Sequence, residues 1–464
     1  MSAANDNPTP QAPPATEGLR DARWHRRVLS LSWPIVLANL TVPLVGTVDT
    51  AVLGRLPDET YIAAVALGAL VFSSTYWMFG FLRMGTTALV AQQHGAREPM
   101  EIRLTLLRAG MIAVGVAALV IALGLVARGH VFGWLTADAT VANGAAEYFS
   151  IRLLGTPAYL LYLVVLGALF GTQRMRSTLL LTLLFNGLNI ALDLYFVVVA
   201  EMGVAGVAWG TVISEWVTVV LGVWIVGRSL GLTLALRQPD LWLRDRWRRL
   251  FAISGDLLLR TLCVQVPFIV TTAAAARLGT GVLAANAILL NFLFLISHAL
   301  DGIAHAAESL GGFAAGRRAR EELLATARYT LFWGTLLGLL LAGVLLLADE
   351  QLVGLMTTLD TLITETLAYL PWLAPVALFG AWAFVYDGLF IGLTAVRELR
   401  NAMAIATLGY LLVVWGGLDR FGNHALWAGM SLFMALRALL LLRAFGGVAA
   451  RVPSALAQDA ARDA

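Results

Sequence analysis

Apolar runs of about twenty residues recur along this chain, broken by short polar stretches. A hydrocarbon core of about 30 Å takes about 20 apolar residues per crossing helix, and in lipid every backbone polar group must be satisfied within the segment. Composition agrees: 59% of the 464 residues are hydrophobic and 13% are charged, against roughly 45–50% apolar in soluble domains. The sequence predicts about twelve spans, near 29–53, 62–92, 104–127, 147–171, 178–199, 204–228, 251–277, 282–312, 326–348, 366–393, 401–417 and 424–446. The expected class is an all-α polytopic membrane protein. No room is left for a soluble domain.

The 32 basic residues are all arginine. They cluster before span one and after spans two, four, six, eight, ten and twelve, while the alternate loops are poor in them. Basic residues concentrate in cytoplasmic loops, so both termini are expected in the cytoplasm. The net charge of +3 then reports topology and contact with anionic lipid, and calls for no nucleic-acid partner. The first twenty residues, rich in Pro, Ala and polar side chains, lack the order of a cleavable signal and are read as a disordered tail. The lone Cys263 excludes an internal disulfide.

Shifted by about 221 positions, the chain overlays itself: "GRLPDETYIAAVALGAL" falls on "ARLGTGVLAANAILLN", and Gly95 on Gly316, with Gly171 close to Gly392. The expected organisation is a tail (1–27), a first lobe (28–228), a linker (229–250), a second lobe (251–446) and a C-terminal tail (447–464). Six helices return the chain to its starting side, so the lobes share one orientation and leave a cleft between them, as in many secondary transporters.

Carboxylates within the spans carry the chemistry, because each costs roughly 2.5–3.5 kcal/mol at a helix centre and such groups usually face a bundle interior or a wet cavity. Asp49 is set in "VPLVGTVDTAVLG", with Pro34 and Pro43 as bending points upstream. In "FNGLNIALDLYF", Asn189 and Asp193 share a helix face at i,i+4. Thr211, Ser214 and Glu215 follow in span six, and Asp49, Asn189, Asp193 and Thr211 are expected to form one polar cluster. In the second lobe "HALDGIAHAAES" aligns Asp301, His305 and Glu308 on one face, and "VYDGLF" adds Asp387. Asp301, Glu308 and Asp387 are candidates for lining a cavity, with pairing of the first two to Arg437 or Arg260 left open. No metal site is expected. Asp256 and Arg260, at i,i+4, are expected to form a structural ion pair, and Arg83 to snorkel or pair with a carboxylate. No H-E-x-x-H, G-x-S-x-G or phosphate-cradling motif occurs, so no enzyme is expected.

The stretches "SWPIVLANLTVPLVGTVDTAVLG", "ALVAQQHGA", "NGLNIALDLYF", "LDGIAHAAESLGG" and "VYDGLFIGLTAVRELRNAM" resemble the multidrug and toxic compound extrusion (MATE) transporters, in particular their bacterial DNA-damage-inducible protein F (DinF) branch. The resemblance implies two six-helix bundles in a V, sitting in the bacterial inner membrane as a monomer. It implies export of small organic cations or amphipathic drugs against inward H+ or Na+, with no cofactor. It makes Asp49 the cation-coupling aspartate, Pro34 the helix-bending proline, and Asn189, Asp193 and Thr211 its polar partners. Other branches hold a cation site on acids of spans seven and eight. Span seven here reads "CVQVPFIVTTAAA" without a central carboxylate, which favours H+ over Na+. Gly311 to Phe313 departs from the usual second-half Gln. A flippase for lipid-linked precursors is the alternative, and would need a basic cavity for a pyrophosphate.

Overall fold

The computed structural model describes residues 19–41, 45–46, 48, 51–52, 54, 60–231 and 237–453. The described residues are helical throughout, with ten helices or merged helix pairs that are long and apolar enough to cross a membrane. Helices 139–153 and 156–171, meeting at a 51° bend, make an eleventh. With the helix Ala22–Leu40 at the start of the first predicted span, the architecture is the twelve-span, two-lobe one that the sequence predicts.

The first lobe contains α1 (Ala22–Leu40), α2 (Thr60–Met78) and α3 (Gly80–Gly95), which together make span two, α4 (Pro99–Leu135), α5 (Ala139–Leu153), α6 (Thr156–Gly171), α7 (Met175–Asp193) and α8 (Gly203–Leu230). The second contains α9 (Arg244–Leu278), α10 (Thr280–Gly316), α11 (Arg320–Leu347), the short α12 (Asp349–Met356), α13 (Asp360–Tyr369), α14 (Leu373–Gly392), α15 (Val396–Phe421) and α16 (Asn423–Ala450). Most helices outrun the predicted spans, because polar and arginine-bearing flanks continue the helix once the apolar core has nucleated it. The start of α9 at Arg244 thus takes the end of the expected linker into a helix. Ends are set locally: Asp21 and Asp138 cap α1 and α5 by accepting from Arg23 N–H (2.9 Å) and Thr140 N–H (2.8 Å). Pro99 and Pro157 sit where a missing N–H costs nothing.

The internal repeat is visible in the turns. Four hairpins at the arginine-rich end follow α3, α6, α10 and α14, and each runs from a helix-terminal glycine to a left-handed residue two positions on: Arg97 (φ 59°), Gln173 (φ 59°), Arg318 (φ 56°) and Thr394 (φ 54°). In each, the next residue's N–H reaches back five positions, as from Glu98 to the Gln93 carbonyl (2.9 Å) and from Ala319 to that of Ala314 (3.0 Å). This bond closes the helix and offsets the roughly 1–2 kcal/mol that a left-handed non-glycine residue costs.

The lobes meet tightly at this end. A Cβ on Gly95 would lie 2.1 Å from the Phe313 carbonyl oxygen, and one on Gly316 1.9 Å from that of Gln92. Only glycine lets α3 and α10 touch through their backbones here. The Gln92 side-chain amide donates to the Gly392 carbonyl (2.9 Å), and the Ser309 hydroxyl to that of Phe170 (2.6 Å). Asn39 ties α1 to α10 by donating to the His298 carbonyl (3.1 Å).

Candidate functional site

The first lobe holds a buried polar chain. Asn189 Nδ2 donates to Asp193 Oδ2 (3.0 Å) and to Thr211 Oγ1 (3.2 Å), and Thr211 donates to the Val207 carbonyl (3.0 Å). Asn189 and Asp193 are buried almost completely. Their i,i+4 spacing puts them one turn apart on α7, and α8 supplies the threonine from the facing helix. Gly210 makes the approach possible, since a Cβ there would lie 2.1 Å from Asp193 Oδ1. Immediately after Asp193 the helix widens into a single π turn, Leu194–Val199, an irregularity that recurs at functional sites. One turn before Asn189, Asn186 Nδ2 donates to Thr41 Oγ1 (2.6 Å), which anchors α7 to the end of α1. Asp49 and Pro43 lie outside the described residues. Pro34 lies inside α1, where its ring removes one helical hydrogen bond.

Glu215 and Ser214 stand apart from that chain. The Glu215 carboxylate pairs with Arg152 of α5 at 2.9 Å, and both are buried. The Arg152 guanidinium lies over the rings of Phe72 (5.2 Å) and Tyr76 (5.8 Å). Tyr76 stacks on Tyr159 (4.1 Å) and donates to Thr156 Oγ1 (3.1 Å). Sequence reasoning missed Arg152. The signal was there: an arginine inside span four must find a carboxylate, and Glu215 in span six is one.

A cavity of about 390 Å³ lies between the lobes. Its walls carry Arg83 from the first lobe and Arg260, Asp301, His305, Glu308, Asp387 and Arg437 from the second, with Trp77, Phe268 and Phe294 beyond them. Asp301, Glu308 and Asp387 therefore face one space. Asp387 Oδ2 accepts from Arg437 Nη2 at 2.6 Å and also from Arg260. Glu308 Oε2 lies 3.2 Å from Arg83 Nη1 and 3.2 Å from His305 Nδ1. Asp301 has no hydrogen bond or ion pair among the described residues. Three guanidinium groups thus face three carboxylates, and with neutral histidines the cavity has no net charge.

The pairing corrects one expectation. Asp256 and Arg260 do not bond to each other: Asp256 pairs with Arg400 (2.5 Å) and faces Arg397 (4.0 Å), while Arg260 turns to Asp387. One turn of α9 separates the two, but Asp256 faces α15 near the arginine-rich end, and Arg260 lines the cavity. The rotation of α9 decides the partner: Arg260 points into the cavity, where Asp387 is the acid it meets. The open question over Glu308 resolves in the same way. Its partner is Arg83 across the lobe interface, and Arg437 and Arg260 both serve Asp387. Among the described residues no group of three or more His, Cys, Asp or Glu is placed to hold a metal ion.

Paired lobes of like topology around a polar intramembrane cavity define the class of a secondary membrane transporter. The family model MatE matches residues 34–195 and 257–416, and the chain belongs to that family. It is 37% identical over 422 residues to the DNA damage-inducible protein F of Escherichia coli (strain K12), covering 90% of each chain. It is 27% identical to a probable multidrug resistance protein NorM of Xanthomonas campestris, covering 89% of this chain and 91% of that one. In fold it is similar to the outward-facing conformation of a multidrug resistance MATE family transporter of the MOP superfamily, with a TM-score of 0.84, 20% identity, and 92% of this chain and 96% of that chain covered.

Proposed function

We propose that this chain is a proton-coupled antiporter that exports small organic cations or amphipathic drugs across the bacterial inner membrane, acting as a monomer surrounded by lipid, with both termini cytoplasmic and no cofactor beyond the coupling ion. The observation that carries the reading is the buried chain Asn189–Asp193–Thr211, tied through Asn186 and Thr41 to the helix that leads to Asp49. In this reading Asn189, Asp193 and Thr211 are the polar partners of Asp49, whose hydrogen bonds with them change when its carboxyl takes up a proton. Protonation of Asp49 then removes its charge, rearranges its bonds to Asn189, Asp193 and Thr211, and lets α1 bend near Pro34. Cargo and proton weaken each other's binding, as linkage requires.

Two features of the cavity favour this over the alternatives. Asp387 is clamped by Arg260 and Arg437, and a carboxylate neutralised twice is a poor ligand for Na+. A flippase cavity would present unpaired cations to a pyrophosphate. Here Arg83, Arg260 and Arg437 all have carboxylate partners.

The test is dye efflux from proteoliposomes under a pH gradient and then under a sodium gradient, each compared with Asp49→Asn. Efflux driven by the pH gradient and lost in the variant is the expected result. Undiminished efflux in Asp49→Asn removes the coupling role, and efflux driven by sodium alone replaces H+ with Na+.

A further inference from the structure

The floor of the central cavity is built from both lobes. Arg83 belongs to α3 of the first lobe and Glu308 to α10 of the second, and their 3.2 Å contact spans the interface. Phe170, also of the first lobe, packs against this pair. The Arg83 guanidinium lies 5.4 Å from its ring centre, and the His305 ring stacks on it at 4.9 Å. Just below, Ser309 donates to the Phe170 carbonyl at 2.6 Å. Any movement that parts the lobes at the arginine-rich end must therefore pull Arg83 away from Glu308, whereas His305 shares a helix with Glu308 and travels with it.

Separation leaves Glu308 in need of a partner. It is 1% exposed, and its Oε1 has no hydrogen-bond partner among the described residues even with the lobes together. A carboxylate stripped of its cation at this depth is strongly unfavourable. The other groups around the cavity do not replace it: Asp301 is itself acidic, Arg260 and Arg437 are both held by Asp387, and His305, which stays 3.2 Å from Glu308, supplies a charge only when it is protonated. A mobile cation is the remaining source of charge.

We propose that Glu308 is a cargo-binding carboxylate: when the arginine-rich end is open it receives the positive charge of an organic monocation, and when the lobes close Arg83 takes that place and displaces the cargo. The inference rests on the proposed export of organic cations, and assigns that cargo a binding group and an expelling group. Arg83 and the cargo compete for one carboxylate, so closure of the arginine-rich end and cargo release become a single event. The aromatic rings of Trp77, Phe268 and Phe294 line the space beyond, where a flat apolar body can rest once its charge has been released.

The experiment measures tetraphenylphosphonium binding to the purified full-length protein and its export from proteoliposomes, for the wild type, R83Q, R83K and E308Q. Removing Arg83 removes the competitor, so R83Q should bind roughly tenfold more tightly or better while exporting at least about tenfold more slowly. R83K keeps a displacing charge and should stay close to wild type in both. E308Q should bind roughly tenfold more weakly. Unchanged or weaker binding by R83Q overturns the proposal, as does E308Q that binds like the wild type, and E308Q decides alone if R83Q does not fold. A wild type that exports tetraphenylphosphonium alongside indifferent variants overturns this proposal and leaves the export of organic cations standing, whereas a wild type that neither binds nor exports it defeats the cation reading itself.

Discussion

Replacing Gly316 or Gly95 by alanine should drive the arginine-rich ends of the lobes apart. A Cβ at Gly316 would lie 1.9 Å from the Gln92 carbonyl oxygen and one at Gly95 2.1 Å from that of Phe313, whereas ordinary contact begins at 3.4 Å. The backbones must therefore retreat by about 1.5 Å and 1.3 Å, the shortfalls from that distance. Both obstructions are backbone carbonyls, which cannot rotate out of the way as a side chain would. Forcing a methyl group into so close a contact costs about 1–3 kcal/mol, and only the conformation with this end closed bears the cost. A shift of about 2 kcal/mol changes the ratio of closed to open molecules about thirtyfold. Spin labels at the exposed positions Ala96 and Arg317, in a Cys263→Ser background, read that ratio by pulsed EPR. The two substitutions should lengthen the distance alike, because the internal repeat gives them mirrored roles, and export should slow in both. Gly115→Ala, whose Cβ meets nothing within 4 Å, should leave the distances unchanged. Glycine variants that keep the wild-type distance distribution and export rate would refute the idea that these contacts close the transporter.

Arg152→Gln should strand the buried Glu215 carboxylate and cost about 3–5 kcal/mol, seen as a lowered Tm in detergent, with part of the loss recovered by adding Glu215→Gln. Asp387→Asn should leave Arg260 and Arg437 facing each other without a carboxylate and lower the Tm similarly, whereas combining it with Arg437→Met should recover part of the loss. Asn286→Leu breaks the reciprocal amide pair with Asn423 (2.7 and 2.9 Å) and the bond from Trp427 Nε1 (2.8 Å). At about 0.6 kcal/mol per bond in membranes the loss is roughly 2 kcal/mol, and an unchanged denaturation midpoint would show that lipid or water replaces all three.

What the sequence made legible follows from rules that act along one chain. Hydrophobic length gives the spans, arginine alternation gives the returns, and a period of 3.6 puts Asn189 and Asp193 on one face, where they bond at 3.0 Å. The overlay of Gly95 on Gly316 reached beyond secondary structure. Two positions equivalent under the repeat sit at equivalent places on the two lobes, so a glycine kept at both points to the surface where the lobes meet back to back. Span four is divided by the 51° bend between α5 and α6, which Gly155 and Pro157 mark in the sequence although its hydrophobic length reads as one span.

Partner choice was not legible, for a physical reason. An i,i+4 spacing shows which groups can meet on one helix, but in a bundle the competing partner on a neighbouring helix is chosen by rotation and register, which no local pattern records. Asp256 and Arg260 illustrate it: their spacing favours a pair worth a few tenths of a kcal/mol on an exposed helix, and the orientation of the helix overrides it. The rotation of α9 points Arg260 into the cavity, where Asp387 is the carboxylate it meets. Asp256 faces α15 instead and pairs with Arg400 nearer the arginine-rich end. Orientation assigns the other intramembrane arginines in the same way. Arg83, Arg152 and Arg437 each end against the buried acid that another helix brings within reach, at 3.2, 2.9 and 2.6 Å. Of these three pairings, two lie within a lobe and survive any movement of the lobes as rigid bodies. Only Arg83–Glu308 joins the two lobes, so under the displacement proposed above it alone of the three is made and broken as they move, and that would set it apart from an ordinary structural ion pair.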